Sequence, residues 1–335
     1  MRGAGTSVSA APCGFAAGPT LEARMGARNF ARRLDLELNR ERKFGGLVRW
    51  CPMRYAGPAV DFAFRALGLW EKAHREFLDI ATREESFAVS GLPEALDGFT
   101  ILHMSDLHLD ISPDLAPALR EALARVAGRY DIACITGDFS NFTVHSDKAA
   151  IKAAASLREA FTAPVFGCLG NHDSICDVPD LEKAGFKILL NESVRVRRKG
   201  GGEADPGLML AGIDDPNIFG TGDMERALSD RRAGEPVVLL AHAPSIYAEA
   251  AARGVSLALC GHVHGGQICL RSGRAIAPRR WKFPARVRRG RWVQGSAQGY
   301  TTTGVGACGA PLRLNCPPEL VLVRLRRAGA VDAPQ

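Results

Sequence analysis

Apolar positions are spaced differently in the two parts of this chain. From residue 98 onward, short apolar runs alternate with stretches of helical periodicity. The runs Phe99–Met104, Ile132–Thr136, Val165–Leu169, Leu208–Ile213, Val237–Ala241, Leu257–Cys260 and Gln267–Leu270 predict strands. Two later ones follow at Arg291–Gly295 and Leu320–Leu325. Apolar residues recur at three-to-four spacing over Asp114–Ala127, Lys148–Ala160 and Ile246–Ala252, which predicts helices there. Alternating strands and helices imply a mostly parallel sheet, and the strand-rich C-terminal half implies a second sheet. No internal repeat is present.

Residues 1–30 are rich in Gly, Ala, Ser and Pro and are expected to be disordered. Met25 and Met53 offer alternative starts. Residues 31–97 predict a basic, helical extension. Within it, Val60, Phe64, Leu67, Trp70, Phe77 and Ile80 trace one helix over residues 58–82, with Pro58 in its first turn. Such a helix would pack on the following domain or, being basic and amphipathic, rest on a membrane surface. Residues 98–330 form the main domain of this division.

The composition narrows the partners. The chain has 335 residues, 46% of them hydrophobic, enough for one large core with an appendage. A net charge of +7 favours anionic partners: phosphorylated substrates, nucleic acid or an anionic membrane. Nine cysteines without a CxxC pair, several inside apolar runs such as Cys134 and Cys260, suit buried reduced thiols in the cytoplasm. No apolar run approaches the ~18 residues of a membrane span. The cytoplasm is therefore the expected location, with peripheral contact at the inner face of the membrane as the sharper form of that expectation.

Candidate chemistry follows the strands. After the first comes Ser105-Asp106-Leu107-His108; after the second, Gly137-Asp138; after the third, Gly170-Asn171-His172-Asp173. The fifth is followed by His242 and the sixth by Gly261-His262-Val263-His264-Gly265-Gly266-Gln267. Any one of these is weak, since Gly-Asp is usually a turn and a lone histidine is usually a core residue. Five strand ends that each deliver Asp, Asn or His point to one shared site at the carboxyl edge of the sheet.

This ordered set resembles the calcineurin-like metallophosphoesterases over about residues 98–270. The resemblance implies a four-layer αββα sandwich, two mixed β-sheets flanked by helices, here with the N-terminal helical extension. It further implies two divalent metal ions. Asp106, His108 and His264 would hold the first; Asn171, His242 and His262 the second; Asp138 would bridge them. A nitrogen and oxygen donor set without thiolate suits Mn²⁺ first, with Fe or Zn²⁺ as alternatives. The expected reaction is hydrolysis of a phosphodiester or pyrophosphate bond by a hydroxide held between the metals. His172 would serve the leaving group as general acid, oriented by Asp173.

Asp138 is followed by Phe139-Ser140-Asn141, unlike the Asp-Arg-Gly of the protein phosphatases of this superfamily. Cys260–Gln267, Gly212–Pro216 and the tail around Pro311–Leu320 resemble a bacterial branch that includes membrane-associated enzymes and UDP-2,3-diacylglucosamine pyrophosphatases. Members often carry a hydrophobic N-terminal anchor, and this chain departs from them in being basic there. Asp214 and Asp215 read as turn residues. Residues 271–291 hold nine Lys and Arg and no acid, interleaved with Trp281 and Phe283. Arg279, Arg280 and Lys282 are the candidates for binding a diphosphate or lipid headgroup. A nuclease or cyclic-nucleotide phosphodiesterase is the alternative reading, weakened by the absence of any nucleic-acid recognition motif. A scaffold without catalysis is less favoured, because no ligand position is lost.

Overall fold

A computed structural model of the chain describes residues 19–44, 52–141, 148–198, 207–276 and 281–329. The chain enters through helices α1 (Leu21–Met25), α2 (Ala27–Phe44), α3 (Pro52–Ala66) and α4 (Trp70–Leu78). Order thus begins inside the stretch expected to be disordered. The Thr20 hydroxyl accepts from the amide of Ala23 and caps α1, and Leu21 and Met25 are buried. The single helix expected over residues 58–82 is two helices. Gly68 takes φ 67°, and the Leu69 amide reaches back to the carbonyl of Phe64, closing α3 with a left-handed cap. Pro58 lies inside α3 rather than in its first turn.

The extension is also not wholly helical. Strand β1 (Ala81–Val89) runs parallel to the late strand β12 (Glu319–Arg327). Arg83 and Glu84 lie exposed at a sheet edge while Phe87 and Val89 point into the core. Two six-stranded sheets follow. The first has the order β1–β12–β2–β3–β4–β5, with β2 (Thr100–Met104), β3 (Ile132–Thr136), β4 (Val165–Cys168) and β5 (Phe186–Ile188) mutually parallel and β12 antiparallel to β2. The second has the order β10–β11–β9–β8–β7–β6. There β7 (Leu208–Gly212), β8 (Val237–Leu240), β9 (Leu257–Cys260) and β11 (Ala297–Thr301) are parallel neighbours. At its edges, β6 (Glu192–Val196) and β10 (Gly290–Gln294) run antiparallel.

Successive strand residues face opposite sides, and both sides are buried, which explains the unbroken apolar runs. Ile132 and Cys134 of β3 meet Leu208, Leu210, Val238 and Leu240 of the second sheet in one inner core. Ala133 and Ile135 face outward, against α5 (Leu115–Arg125), α6 (Ala149–Leu157) and α7 (Val178–Lys183). Met209, Ala211 and Leu239 of the second sheet pack outward on α8 (Met224–Ala227) and α9 (Tyr247–Ala252). The result is two mixed sheets flanked by helices, as expected. The expected strand Gln267–Leu270 is absent: Gln267 has φ 57°, and only isolated bridges form, Ile268 to Leu314 and Cys269 to Ala275. Among the described residues, no helix is long and apolar enough to cross a membrane.

Candidate metal centre

The carboxyl ends of β2, β3 and β4 in one sheet and of β8 and β9 in the other converge. Loop backbones weld them together: the amide of Asp106 donates to Gly137 O (2.9 Å), that of His108 to Asp138 O (3.0 Å), and that of Gly261 to His242 O (2.8 Å). The glycines are required here by close approach. A Cβ on Gly170 would lie 2.1 Å from Asp138 Oδ1, and one on Gly261 would lie 1.9 Å from Ser105 Oγ. Asp106, His108, Asp138, His262 and His264 all hold left-handed φ between 42° and 74°. Backbone strain of this kind persists where the surroundings over-determine it, and it gathers at functional sites.

The seven residues expected as ligands come together, in two groups. His264 Nε2 lies 3.3 Å from His108 Nε2 and 3.3 Å from Asp106 Oδ1. His242 Nε2 lies 3.2 Å from Asn171 Oδ1 and 3.1 Å from His262 Nδ1. Asp138 Oδ2 stands between the groups, 3.2 Å from His242 Nε2 and 3.7 Å from His108 Nε2. The second nitrogens of two rings are occupied by backbone: His108 Nδ1 donates to Ser140 O (2.8 Å) and His242 Nδ1 to Thr136 O (2.7 Å). Each ring therefore turns its Nε2 inward. Asn217 Nδ2 is 2.9 Å from His262 Nε2.

These residues fit two metal ions. Donor atoms bound at ~2.0–2.1 Å around one tetrahedral ion stand roughly 3.3 Å apart, and several donor pairs here already have that spacing. The electrostatics agree. Burial and the neighbouring charge of Asp138 push the Asp106 carboxyl up to about 6, against the pull of His242. Burial also opposes ionisation of Asp138, but His242, His172 and His108 outweigh it and hold its carboxyl well below the usual range. His242 is correspondingly raised to about 10 despite its burial, chiefly by Asp138. Burial lowers His108 to about 3 and holds His264 well below the ordinary imidazole value. Two buried carboxylates among imidazoles suit a bound cation.

His172 is half-buried at the edge of this cluster. Its amide donates to Asp138 Oδ1 (2.8 Å), its Nδ1 donates to Asn141 O (2.6 Å), and its ring stands edge-on to His108. Asp173 does not orient it, which corrects the sequence expectation. The buried Asp173 carboxylate accepts from the amides of Asp138 (2.8 Å), Phe139 (2.8 Å), Ser140 (3.3 Å) and Gly170 (2.8 Å), stapling two loops together. Burial and the charge of Asp138 raise it to about 7 against those amides. The reason is spatial: the residue after His172 points back under the loop.

Residues 271–291 do border the site at one point. The Trp281 ring lies 4.8 Å from that of His262 and stacks on Phe283. Phe283 itself is buried in the core against the second sheet, so it cannot enter a lipid boundary as its place in the basic run suggested. Lys282 is exposed, and Arg279 and Arg280 lie outside the described residues.

Sequence reasoning missed several residues at the site. Cys308, set aside with the other cysteines, places Sγ within 4.8 Å of ligand atoms of His108 and His264, and 3.9 Å from His172 Nε2. Arg313 is fully buried and donates to Gly306 O (2.6 Å) and Thr303 O (2.7 Å), beneath the loop whose Gly306 amide donates to Asp106 O. Arg33 and Glu37 of α2 are buried behind the Asn171 loop. No local motif marks these positions, because each is defined by a contact far along the chain. Asp215 is a turn residue as read, accepting from the amides of Ile218 (2.6 Å) and Phe219 (2.8 Å), whereas Asp214 is paired with Arg33.

Such a cluster, at the facing strand ends of two stacked mixed sheets, defines a metal-dependent phosphoesterase by class. The comparisons agree. The calcineurin-like phosphoesterase profile matches residues 99–266, and the chain belongs to that family. It is 30% identical over 241 residues to the phosphodiesterase YaeI of Escherichia coli, covering 68% of this chain and 82% of the relative. It is 27% identical over 288 residues to an uncharacterized metallophosphoesterase of Aquifex aeolicus, covering 79% and 99%. A zebrafish (Danio rerio) transmembrane protein with a metallophosphoesterase domain is 28% identical over 255 residues, which span 72% of this chain and 56% of that protein.

Proposed function

We propose that this chain hydrolyses a phosphodiester or pyrophosphate bond with two divalent metal ions, Mn²⁺ first among them, on a nucleotide-linked or lipid-linked substrate. The observation that carries the reading is the pair of donor groups that meet at Asp138 Oδ2. Asp106, His108 and His264 would hold one ion, Asn171, His242 and His262 the other, with Asp138 shared. The bound ions would lower the pKa of a water and neutralise the phosphoryl oxygens.

The chain's own residues supply the rest. His172, fixed through Nδ1 by Asn141 O and with Nε2 3.9 Å from Cys308 Sγ, would hold a proton for the leaving oxygen. Asp173 keeps the two loops in register through four backbone amides. The Trp281 face beside His262 and the exposed Lys282 suit an anionic group outside the metals. Leu270, Arg271, Arg274 and Ile276 are exposed in the same run, which supports peripheral contact with an anionic membrane from the cytoplasmic side. The name of the Escherichia coli relative supports a diester over a monoester.

The test is a Mn²⁺-loaded substrate panel of bis-p-nitrophenyl phosphate, p-nitrophenyl phosphate, a cyclic nucleotide, UDP-2,3-diacylglucosamine and single-stranded DNA, run beside elemental analysis. Two metals per chain and preference for a diester or pyrophosphate are expected. One metal or none in active protein would reject the two-metal reading, and turnover confined to DNA would replace it with a nuclease.

A further inference from the structure

We propose that Arg33 and Glu37, on α2, are positioning residues that set the loop carrying Asn171 and His172; this rests on the proposed function of that loop. The family match begins at residue 99, well after both. Arg33 is nevertheless fully buried, as deep as any core side chain. Its guanidinium uses every edge. Nη2 donates to Gly170 O (3.3 Å) and Asp173 O (2.6 Å), the two carbonyls that bracket Asn171 and His172. Nη1 donates to Asp214 Oδ1 (2.8 Å) and Nε to Glu37 Oε1 (2.6 Å). One face lies on the Phe219 ring, 3.6 Å from its centroid.

Glu37 completes the bracket. It accepts from the amide of Ile175 (3.0 Å) and the hydroxyl of Ser174 (2.8 Å), just past the same loop. One ion pair on a single helix turn thus holds both ends of residues 170–175. Asp173 holds the loop from its other side, through the amides of residues 138–140 and 170. The backbone of the loop is thus tied from both sides, and the Asn171 and His172 side chains it carries face the centre. A guanidinium can make these bonds at once because its donors form a planar fork; an ammonium in the same place keeps the charge and loses the bracket.

Arg24 supplies the control. It too is an N-terminal arginine in a strong ion-pair network, with Glu182 (2.9 Å) and Glu192 (2.7 Å), and it donates to Ile188 O, but it touches no residue of the 170–175 loop. A general role for the extension in stability would make the two arginines equivalent.

The experiment compares R33K and R24K in the full chain loaded with Mn²⁺. Read-outs are kcat and KM on diesters with a good and a poor leaving group, and hydrogen exchange of the amides of residues 169–176. For R33K, kcat on the poor leaving group should fall about 10²-fold, the size expected when a catalytic group is displaced by ~1 Å. KM should stay near wild type, the loss should shrink with the good leaving group, and exchange in residues 169–176 should rise. R24K should leave all three unchanged. Should R33K not fold, E37Q keeps the side-chain shape and should show the same pattern at smaller size. Wild-type kcat and exchange in R33K, or an equal loss in R24K, would overturn the proposal. If the wild-type protein hydrolyses no phosphate ester, the proposed function fails on that result alone, and the exchange comparison still decides whether Arg33 sets the loop.

Discussion

Two loops flank Asp138, and they are built on different terms. The Asn171–His172 loop is tied on every side by charged hydrogen bonds: Arg33 and Glu37 behind it, the Asp173 carboxylate beneath it. The His262–His264 loop has fewer such ties: the His262 amide donates to the Asp106 carboxylate (3.0 Å) and Arg313 Nη1 to His264 O (3.5 Å), with Gly261 close against Ser105. On its outer side the His262 ring meets Trp281, next to the exposed Lys282. On the proposed function, the first side fixes the proton-handling group and the second meets the substrate, so binding and chemistry should be separable by mutation.

The largest effect should come from the residue both loops share. Asp138→Asn should lose both metals and lower turnover by more than about 10³-fold, beyond the ~10²–10³ typical of removing one oriented donor. Elemental analysis and kinetics check it; full retention of one metal would mean that Asp138 is not shared. On the first side, His172→Ala should keep two metals and lose on the order of 10²–10⁴-fold with a poor leaving group. An equal loss with p-nitrophenolate as leaving group would assign His172 to positioning phosphate instead.

On the second side, Gly261→Ala should drive a methyl into Ser105 Oγ and to 2.4 Å from Asp106 Oδ2. Metal affinity should fall about 10–100-fold, as when a residue supporting a ligand is altered, which calorimetric titration with Mn²⁺ would show. The smallest effect should be at the substrate rim. Lys282→Gln should weaken binding to anionic liposomes at low salt by about 1 kcal/mol, near fivefold, and leave kcat on a small soluble diester untouched. If co-sedimentation finds no binding by the wild-type chain, the membrane contact is excluded and a soluble substrate is favoured.

The same contrast explains what the sequence could reveal. The seven candidate ligands were legible because strand ends are marked locally, by an apolar run followed by a polar residue, with a glycine between them before Asp138, Asn171 and His262. The extension was not legible in this way. Arg33 looks like one of many surface arginines, since only its distance from Asp214 in space shows that it is buried. β1 carries Thr82, Arg83, Glu84 and Glu85 in a row, and only its pairing with β12 makes a strand of it. Asp173 was placed beside His172 because the two are adjacent in sequence. The turn between them sends one side chain toward the centre and the other beneath it.

The strand order carries a consequence for biosynthesis. β12 lies between β1 and β2, so the first sheet stays split until residues 319–327 have emerged from the ribosome. Asp106 follows β2, whose neighbour on that side is then missing. The nascent chain must hold several finished βα units with an open edge, the kind of state that chaperones protect. The candidate metal centre would therefore mature after translation of His264, the last of its candidate ligands, by at least the length of the segment up to β12. A stalled or truncated product should be a chaperone client and a poor metal binder, even though it contains all seven candidate ligands.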